Sequence, residues 1–129
     1  METMKSFDVS KPTPQVVHTL RPDGRPGEVI PKDDYDHWSH FILTALSSED
    51  ELTLNDLVDR GYKSKLNLSK AIENKISWYI LQVKRDLEAR AFITSTPAVS
   101  KKHTFYLQLT RQGLSKINYQ FQIKEWGNS

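Results

Sequence analysis

The chain has 129 residues, which is long enough for one compact domain with a hydrophobic core. Its composition, with 37% hydrophobic and 26% charged residues and a formal net charge of +2, is ordinary for a globular protein. It has no cysteine, which excludes disulfide bonds, thiolate metal sites and a cysteine nucleophile. No apolar run is long enough to span a bilayer, and the first residues lack the apolar core of a signal peptide, so we expect a cytoplasmic protein.

The first predicted element is an N-terminal arm over residues 1–31, which holds five of the six prolines and shows no helical periodicity. Inside it, the turn sequence RPDGRPG separates the segments QVVHTL and EVI. This arrangement predicts either short strands joined in a loose hairpin or an extended arm that packs on a neighbour.

Two helices are predicted after the arm. Apolar residues recur at three- and four-residue steps from Tyr35 to Leu46, and acidic residues precede them, which predicts a helix over about 32–47. In the following sequence TLNDLVDRGY, the apolar residues again share one face. Thr53 is the expected N-cap of this second helix and Gly61 its expected end.

A longer helical segment comes next. Its apolar stripe runs from Leu68 to Leu87 and predicts one helix over about 68–90, or two helices that meet near Asn74. Basic and polar residues lie on its other side. Aromatic residues on apolar helical stripes belong mostly to the core, which is our prediction for Trp38, Trp78 and Tyr79.

The C-terminal part of the sequence predicts a hairpin and one more helix. AFITS (91–95) and TFYLQL (104–109) read as two strands that are joined by a polar, basic connection. Thr110 is the expected N-cap of the helix that follows. The tail INYQFQIKEW, which contains most of the C-terminal extension 118–129, fits either a strand or a helix.

The order of helix, helix, long helix and hairpin is the layout of a winged helix-turn-helix. VKRDLEARAFI, the hairpin and LTRQGLSKI together resemble the corresponding part of MarR- and PadR-type regulators. NKISWYILQVKRDLEARAFI resembles the N-terminal winged-helix domain of Mrr-type restriction proteins, whose motif is matched here by Asn74, Lys75, Ile76 and Trp78.

This resemblance implies an α+β, mainly helical winged-helix domain over residues 32–117, with a recognition helix at about 68–90 and a β-hairpin wing. The chain departs from the pattern at two places. Ala91 stands where the family has a turn glycine, so the exit from the long helix is expected to need a different backbone conformation. The inserted sequence KSKLNLSKAIENK also lengthens the connection to the recognition helix and obscures where that helix starts.

The basic residues of the chain are concentrated in its middle part. Residues 1–59 carry five Lys/Arg against twelve Asp/Glu, whereas residues 60–103 carry ten against three and residues 104–129 three against one. Charge runs are often only solvated surface, but this basic block coincides with one structural unit. The coincidence favours a polyanionic partner.

DNA is the partner that the helix and the charge favour together, because a helix fits the major groove and Lys or Arg neutralises phosphates. Small hydrogen-bonding residues between the second and third helices suit phosphates or base edges. The predicted DNA-binding residues are Lys63, Ser64, Lys65, Asn67, Ser69, Lys70, Lys75, Lys101, Lys102 and His103. The remaining basic residues of the long helix, Lys84, Arg85 and Arg90, are expected to solvate it or to pair with Asp86 and Glu88.

No enzymatic site is indicated by the sequence. Of the four histidines only His37 and His40 are neighbours on a helix, and the acidic residues beside them already have an electrostatic role at a helix start. There is no phosphate-binding glycine loop and no nucleophile elbow. We therefore predict a protein that is not an enzyme and that uses no cofactor or metal.

These observations predict a DNA-binding protein that acts as a transcriptional regulator on double-stranded DNA. The alternatives are a winged helix used for protein–protein contact and an architectural accessory DNA-binding protein. We also predict a homodimer, because the arm 1–31 and the apolar tail offer surface that one short domain has difficulty burying. The alternative to that dimer is that the arm and the tail pack on each other within one chain.

Overall fold

The computed structural model describes residues 15–49, 51–64, 70–99 and 101–118, with only the backbone of 70–74 included. A final helix, α4, starts at residue 111 and reaches the last described residue, 118. The other elements, in chain order, are β1 (Val16–Leu20), β2 (Pro26–Pro31), α1 (Lys32–Ser48), α2 (Leu54–Ser64), α3 (Lys70–Ala89), β3 (Ile93–Pro97) and β4 (Phe105–Leu109). Helices combined with two antiparallel hairpins make the fold α+β, as predicted.

The first hairpin pairs β1 with β2. The described residues of the arm therefore form short strands in a hairpin rather than an extended arm. Val17 lies opposite Ile30, and the turn is closed by the Gly24 amide, which donates to the Arg21 carbonyl at 2.8 Å. Gly24 has φ +88°, a left-handed conformation that glycine adopts without steric cost. Thr19 and Ile30 are buried, and the hairpin lies against α1 and α3. Residues 1–14 lie outside the description.

The first two helices begin as predicted. In α2, the Asp56 amide donates to Thr53 Oγ1 at 3.1 Å and the Thr53 amide donates to Asp56 Oδ2 at 3.0 Å, a reciprocal cap. The predicted end at Gly61 is wrong, because α2 continues to Ser64. Gly61 is buried, and a Cβ there would lie 2.8 Å from Ile80 Cδ1, so its bare backbone serves close packing on α3.

The long helix α3 is one continuous helix, without a break at Asn74. Trp78 contradicts the core prediction with 39% exposure, since two residues at about 100° each place it roughly 200° around the helix from buried Ile76. Trp38 is buried as predicted, and Tyr79 is half-buried. The core is formed by side chains from every element described except β1, chiefly Ile30, Tyr35, Trp38, Ile42, Leu43, Leu57, Ile76, Ile80, Val83, Leu87, Ile93, Leu107 and Ile117.

The exit from α3 uses a left-handed residue, although that residue is not glycine. Ala91 has φ +65°, its amide donates to the Glu88 carbonyl at 3.0 Å, and the Phe92 amide donates to the Leu87 carbonyl at 2.9 Å. These two bonds form a Schellman motif, which usually has glycine at the position of Ala91. The expectation of a different backbone conformation at Ala91 is therefore wrong: the chain keeps the left-handed conformation that suits glycine, at the steric cost of a Cβ.

The second hairpin pairs β3 with β4, with Ile93 opposite Leu109 and Pro97 opposite Phe105, and confirms the predicted hairpin. Its first strand starts at Ile93 rather than 91, because the turn after α3 occupies the two preceding residues. Leu52, between α1 and α2, forms an antiparallel bridge with Leu107, whose amide donates to the Leu52 carbonyl at 2.7 Å. The connection between the first two helices is thereby attached to β4.

The last helix begins where predicted, with the Gly113 amide donating to Thr110 Oγ1 at 3.1 Å. Ile117 is buried, whereas Leu114 is exposed. Whether the tail after residue 118 is a strand or a helix falls outside the description. Among the described helices, none combines the length and the apolar character needed to cross a membrane.

Candidate nucleic-acid interface

The end of α2 and the first half of α3 carry the first group of predicted DNA-binding residues. Lys63 is exposed and pairs with Asp59 at 3.1 Å, one helical turn earlier. Ser64 donates through Oγ to the Gly61 carbonyl at 2.9 Å. Lys75 is exposed on α3 and has no ion pair within the part of the chain that the structure describes. Of the two lysines, Lys75 therefore offers the less compensated charge.

The remaining members of that group fall wholly or partly outside the description. Lys65, Asn67 and Ser69 lie in the undescribed connection 65–69. Lys70 opens α3, but only its backbone is described. Their prediction as DNA contacts thus depends on the sequence alone.

The tip of the β3–β4 hairpin carries the second group. Lys101, Lys102 and His103 are exposed in the turn between the strands. The turn is closed by the Ala98 amide, which donates to the Thr104 carbonyl at 2.9 Å, and His103 has φ +60°. Neither lysine has an ion pair among the residues described. The tip therefore presents two positive charges to solvent.

An open cavity of about 480 Å³ lies between the β3–β4 hairpin and the helices. The sequence did not predict it. Nine residues line it, and they come from the start of α2, from α3 and from the second hairpin with its turn. They are Thr53, Leu54, Asn55, Lys84, Ser95, His103, Thr104, Phe105 and Leu107. Lys84 pairs with Glu88 at 2.5 Å, and Ser95 Oγ donates to the other carboxylate oxygen of Glu88 at 2.6 Å. The predicted pairing of Lys84 is confirmed, and the hydrogen bond from Ser95 to Glu88 attaches α3 to the middle of β3.

The other predicted ion pair of α3 leads to a buried carboxylate that sequence reasoning missed. Arg90 Nε donates to Asp86 Oδ2 at 2.8 Å, and Asp86 is fully buried. Asp86 also accepts from the Tyr35 hydroxyl and, at 2.8 Å, from the Leu20 amide. One side chain of α3 thus holds both α1 and β1. Periodicity places residue 86 near the apolar stripe, but its partners are up to 66 residues away in sequence and leave no local signal.

Burial and hydrogen bonding raise the pKa values of two tyrosines. Burial, together with the hydrogen bond to Asp86, raises the pKa of Tyr35 far above its usual value. Burial and the hydrogen bond to Asp34 at 3.0 Å likewise raise the pKa of Tyr79. Both phenols stay protonated at neutral pH and act as hydrogen-bond donors, so their role here is structural.

No metal centre is assembled from the described residues, in which no group of three or more His, Cys, Asp or Glu side chains is placed to hold an ion. His37 and His40 instead line an open groove between α1 and α2, together with Arg60 and Ser64. His37 also makes an edge-on ring contact with Trp38, at 4.7 Å between ring centroids.

The matched family covers residues 16–105, from β1 to the first residue of β4. The chain belongs to DUF6958, a family of unknown function. The match includes the first hairpin, α1 to α3, β3 and the basic tip of the second hairpin, and it ends at the first residue of β4. No curated protein and no solved structure matches the chain significantly.

Proposed function

We propose that this protein binds double-stranded DNA through a winged helix-turn-helix, in which α3 is the recognition helix and the β3–β4 hairpin is the wing, and that it acts as a transcriptional regulator. The same proposal includes the winged-helix fold that the resemblance to MarR- and PadR-type regulators and to Mrr-type restriction proteins implies. We also propose that the protein is cytoplasmic and has no catalytic role.

The bridge between Leu52 and Leu107 is the observation that carries this proposal. It attaches the connection between α1 and α2 to β4, while Glu88 and Ser95 attach α3 to β3. Both links reach the middle of the hairpin, where Ser95 and Leu107 lie opposite each other, one from each strand. A unit of this kind can hold the surface of α3 and the tip of the hairpin in a fixed relation, as simultaneous contact with one duplex requires.

Charge supports the same surface. Lys75, Lys101 and Lys102 are exposed, and no ion pair within the described ranges compensates them. Uncompensated cations that approach phosphates release counterions, which favours binding at low salt. Protein–protein contact through the same surface is the alternative, and it predicts no affinity for duplexes.

The test measures the affinity of the full chain for a fluorescently labelled random-sequence duplex between about 50 and 200 mM salt. We expect salt-dependent binding. Lys101→Ala with Lys102→Ala should weaken it and flatten the slope of log K against log salt by about 2, because each lost phosphate contact contributes about 0.9.

The matched control is Lys32→Ala with Arg111→Ala, which also removes two exposed positive charges but outside the predicted interface. We expect the control to keep most of the slope. Absence of duplex binding at the lowest salt would overturn the proposal and favour protein–protein contact. An equal effect of the two double variants would remove the wing from the interface.

A further inference from the structure

The outer face of the β1–β2 hairpin is mainly apolar, with exposed His18 as the polar residue of β1 on it, and is uncovered in a single chain. Pairing of Val16 with Pro31 and of His18 with Val29 puts these side chains on the side opposite the buried Thr19. On that outer side, Val16 is 47% and Val29 52% exposed, and Leu20 at the end of β1 is 38% exposed.

This concentration of exposed apolar residues is unusual for the molecule. Three of the eight large exposed hydrophobic residues among those described lie on this one two-stranded sheet. A two-stranded hairpin is marginal unless its faces are covered, and here only the inner face is covered, by α1 and α3. Apolar surface gathered in this way is characteristic of a contact with another molecule.

The charges around the hairpin indicate what that molecule is. Arg21 and Arg25 lie at the turn, and Arg25 is 3.7 Å from its neighbour Asp23. At the opposite end, β2 runs directly into α1, whose first turn is acidic. Within the described chain Asp33 has no ion pair, whereas Asp36 pairs with Lys32. The hairpin therefore has a basic end and an acidic end, separated by an apolar face.

Such a surface is complementary to itself. When two copies are related by a two-fold axis with antiparallel strands, the turn of each copy lies beside the helix start of the other. The apolar faces then cover each other, and opposite charges meet at both ends. We propose that this protein forms a homodimer through the outer face of the β1–β2 hairpin, with Arg21 and Arg25 of each copy facing Asp33 of the other.

This surface lies beside the C-terminal half of α3. Asp86 accepts from the Leu20 amide, and an Arg90 guanidinium nitrogen lies 3.5 Å from the His18 carbonyl. Lys75 is eleven residues before Asp86, which is about 16 Å along the helix. The dimer contact and the proposed DNA contacts therefore use different ends of α3, and the inference does not depend on DNA binding.

The test is sedimentation equilibrium of the full chain without DNA, from low micromolar to several hundred micromolar protein. We expect a concentration-dependent dimer. Val29→Lys should raise the dissociation constant by at least about tenfold, because it buries an unpaired charge near the middle of the contact. Val16→Lys, at the end of the apolar face next to the start of α1, should raise it by a smaller factor. Circular dichroism should show that both variants remain folded, since both positions are exposed.

Leu114→Lys is the matched control, as it places the same charge on an exposed apolar residue of α4, 47% exposed. It should leave the dissociation constant unchanged. Asp33→Arg should weaken the dimer, and adding Arg25→Asp should restore it, which a loss of local structure would not allow. A monomer at every concentration, equal effects of Val29→Lys and Leu114→Lys, or failure of the charge exchange would overturn the dimer surface whatever the outcome with DNA.

Discussion

The two β-hairpins of this protein have nearly the same size but differ in what holds them and in what they expose. The β1–β2 hairpin is held by the side chain of Asp86 and exposes an apolar face. The β3–β4 hairpin is held at the middle of β4 by the backbone bridge to Leu52 and exposes two lysines at its tip. Turn and strand patterns predict both hairpins in the same way, so the difference between them arises from distant partners and surface chemistry.

We propose different partners for the two hairpins. A tip with uncompensated positive charge suits a polyanion, whereas an apolar face with charged ends suits another protein surface. The proposed DNA contact and the proposed dimer contact follow from this division. Changes that detach one hairpin should therefore leave the other intact.

Removing the buried carboxylate should have the largest effect. Asp86→Ala leaves the Leu20 amide and the Tyr35 hydroxyl without their acceptor, and we expect it to lower the free energy of unfolding by about 3 kcal/mol. Urea denaturation measures this change. Hydrogen exchange should show faster exchange in β1 and β2 than in β3 and β4.

Asp59→Ala is the control for Asp86→Ala, because it removes an exposed carboxylate whose ion pair with Lys63 spans one helical turn. It should change stability by less than about 0.5 kcal/mol. A loss below about 1 kcal/mol for Asp86→Ala would contradict the role of this residue in holding the first hairpin.

A smaller effect of opposite sign is expected where α3 enters the second hairpin. Ala91 has φ +65°, so Ala91→Gly should relieve the contact of its Cβ with the backbone. The greater entropy of glycine in the unfolded chain offsets part of this gain, and we expect about 0.5–1 kcal/mol of stabilisation. The midpoint of urea denaturation gives the answer, and a lower midpoint for Ala91→Gly would show that the left-handed conformation is not strained.

The elements whose signals are local could be predicted from the sequence. The α1 periodicity, the Thr53 and Thr110 caps and the alternation of β4 all act within a few residues, and each appears in the structure. Gly61 was misinterpreted because a glycine that ends a helix and one that allows close packing look the same until the neighbouring helix is known. Trp78 was misassigned because its residue type suits a core, although its angular position on α3 does not.

The contacts of the candidate site were less predictable, because several of them join residues that are distant in sequence. The lysines of the hairpin tip follow from a short turn sequence, whereas the ion pair of Lys63 with Asp59 was not predicted although its i,i+4 spacing is local. By contrast, Asp86 contacts an amide 66 residues away, and the bridge of Leu52 joins two elements that are distant in sequence. No periodicity reports such contacts.

The most direct test of the division between the hairpins is an NMR titration of the uniformly ¹⁵N-labelled full chain with a short duplex at low salt. We expect the largest amide shift changes at Lys75 and at 101–103, and little change in β1 and β2. The dimer proposal is checked separately by diluting the free protein, which should shift the β1 and β2 amides instead. Shift changes on duplex addition that are confined to the first hairpin, or none at all, would contradict the claim that α3 and the second hairpin form the DNA-binding surface.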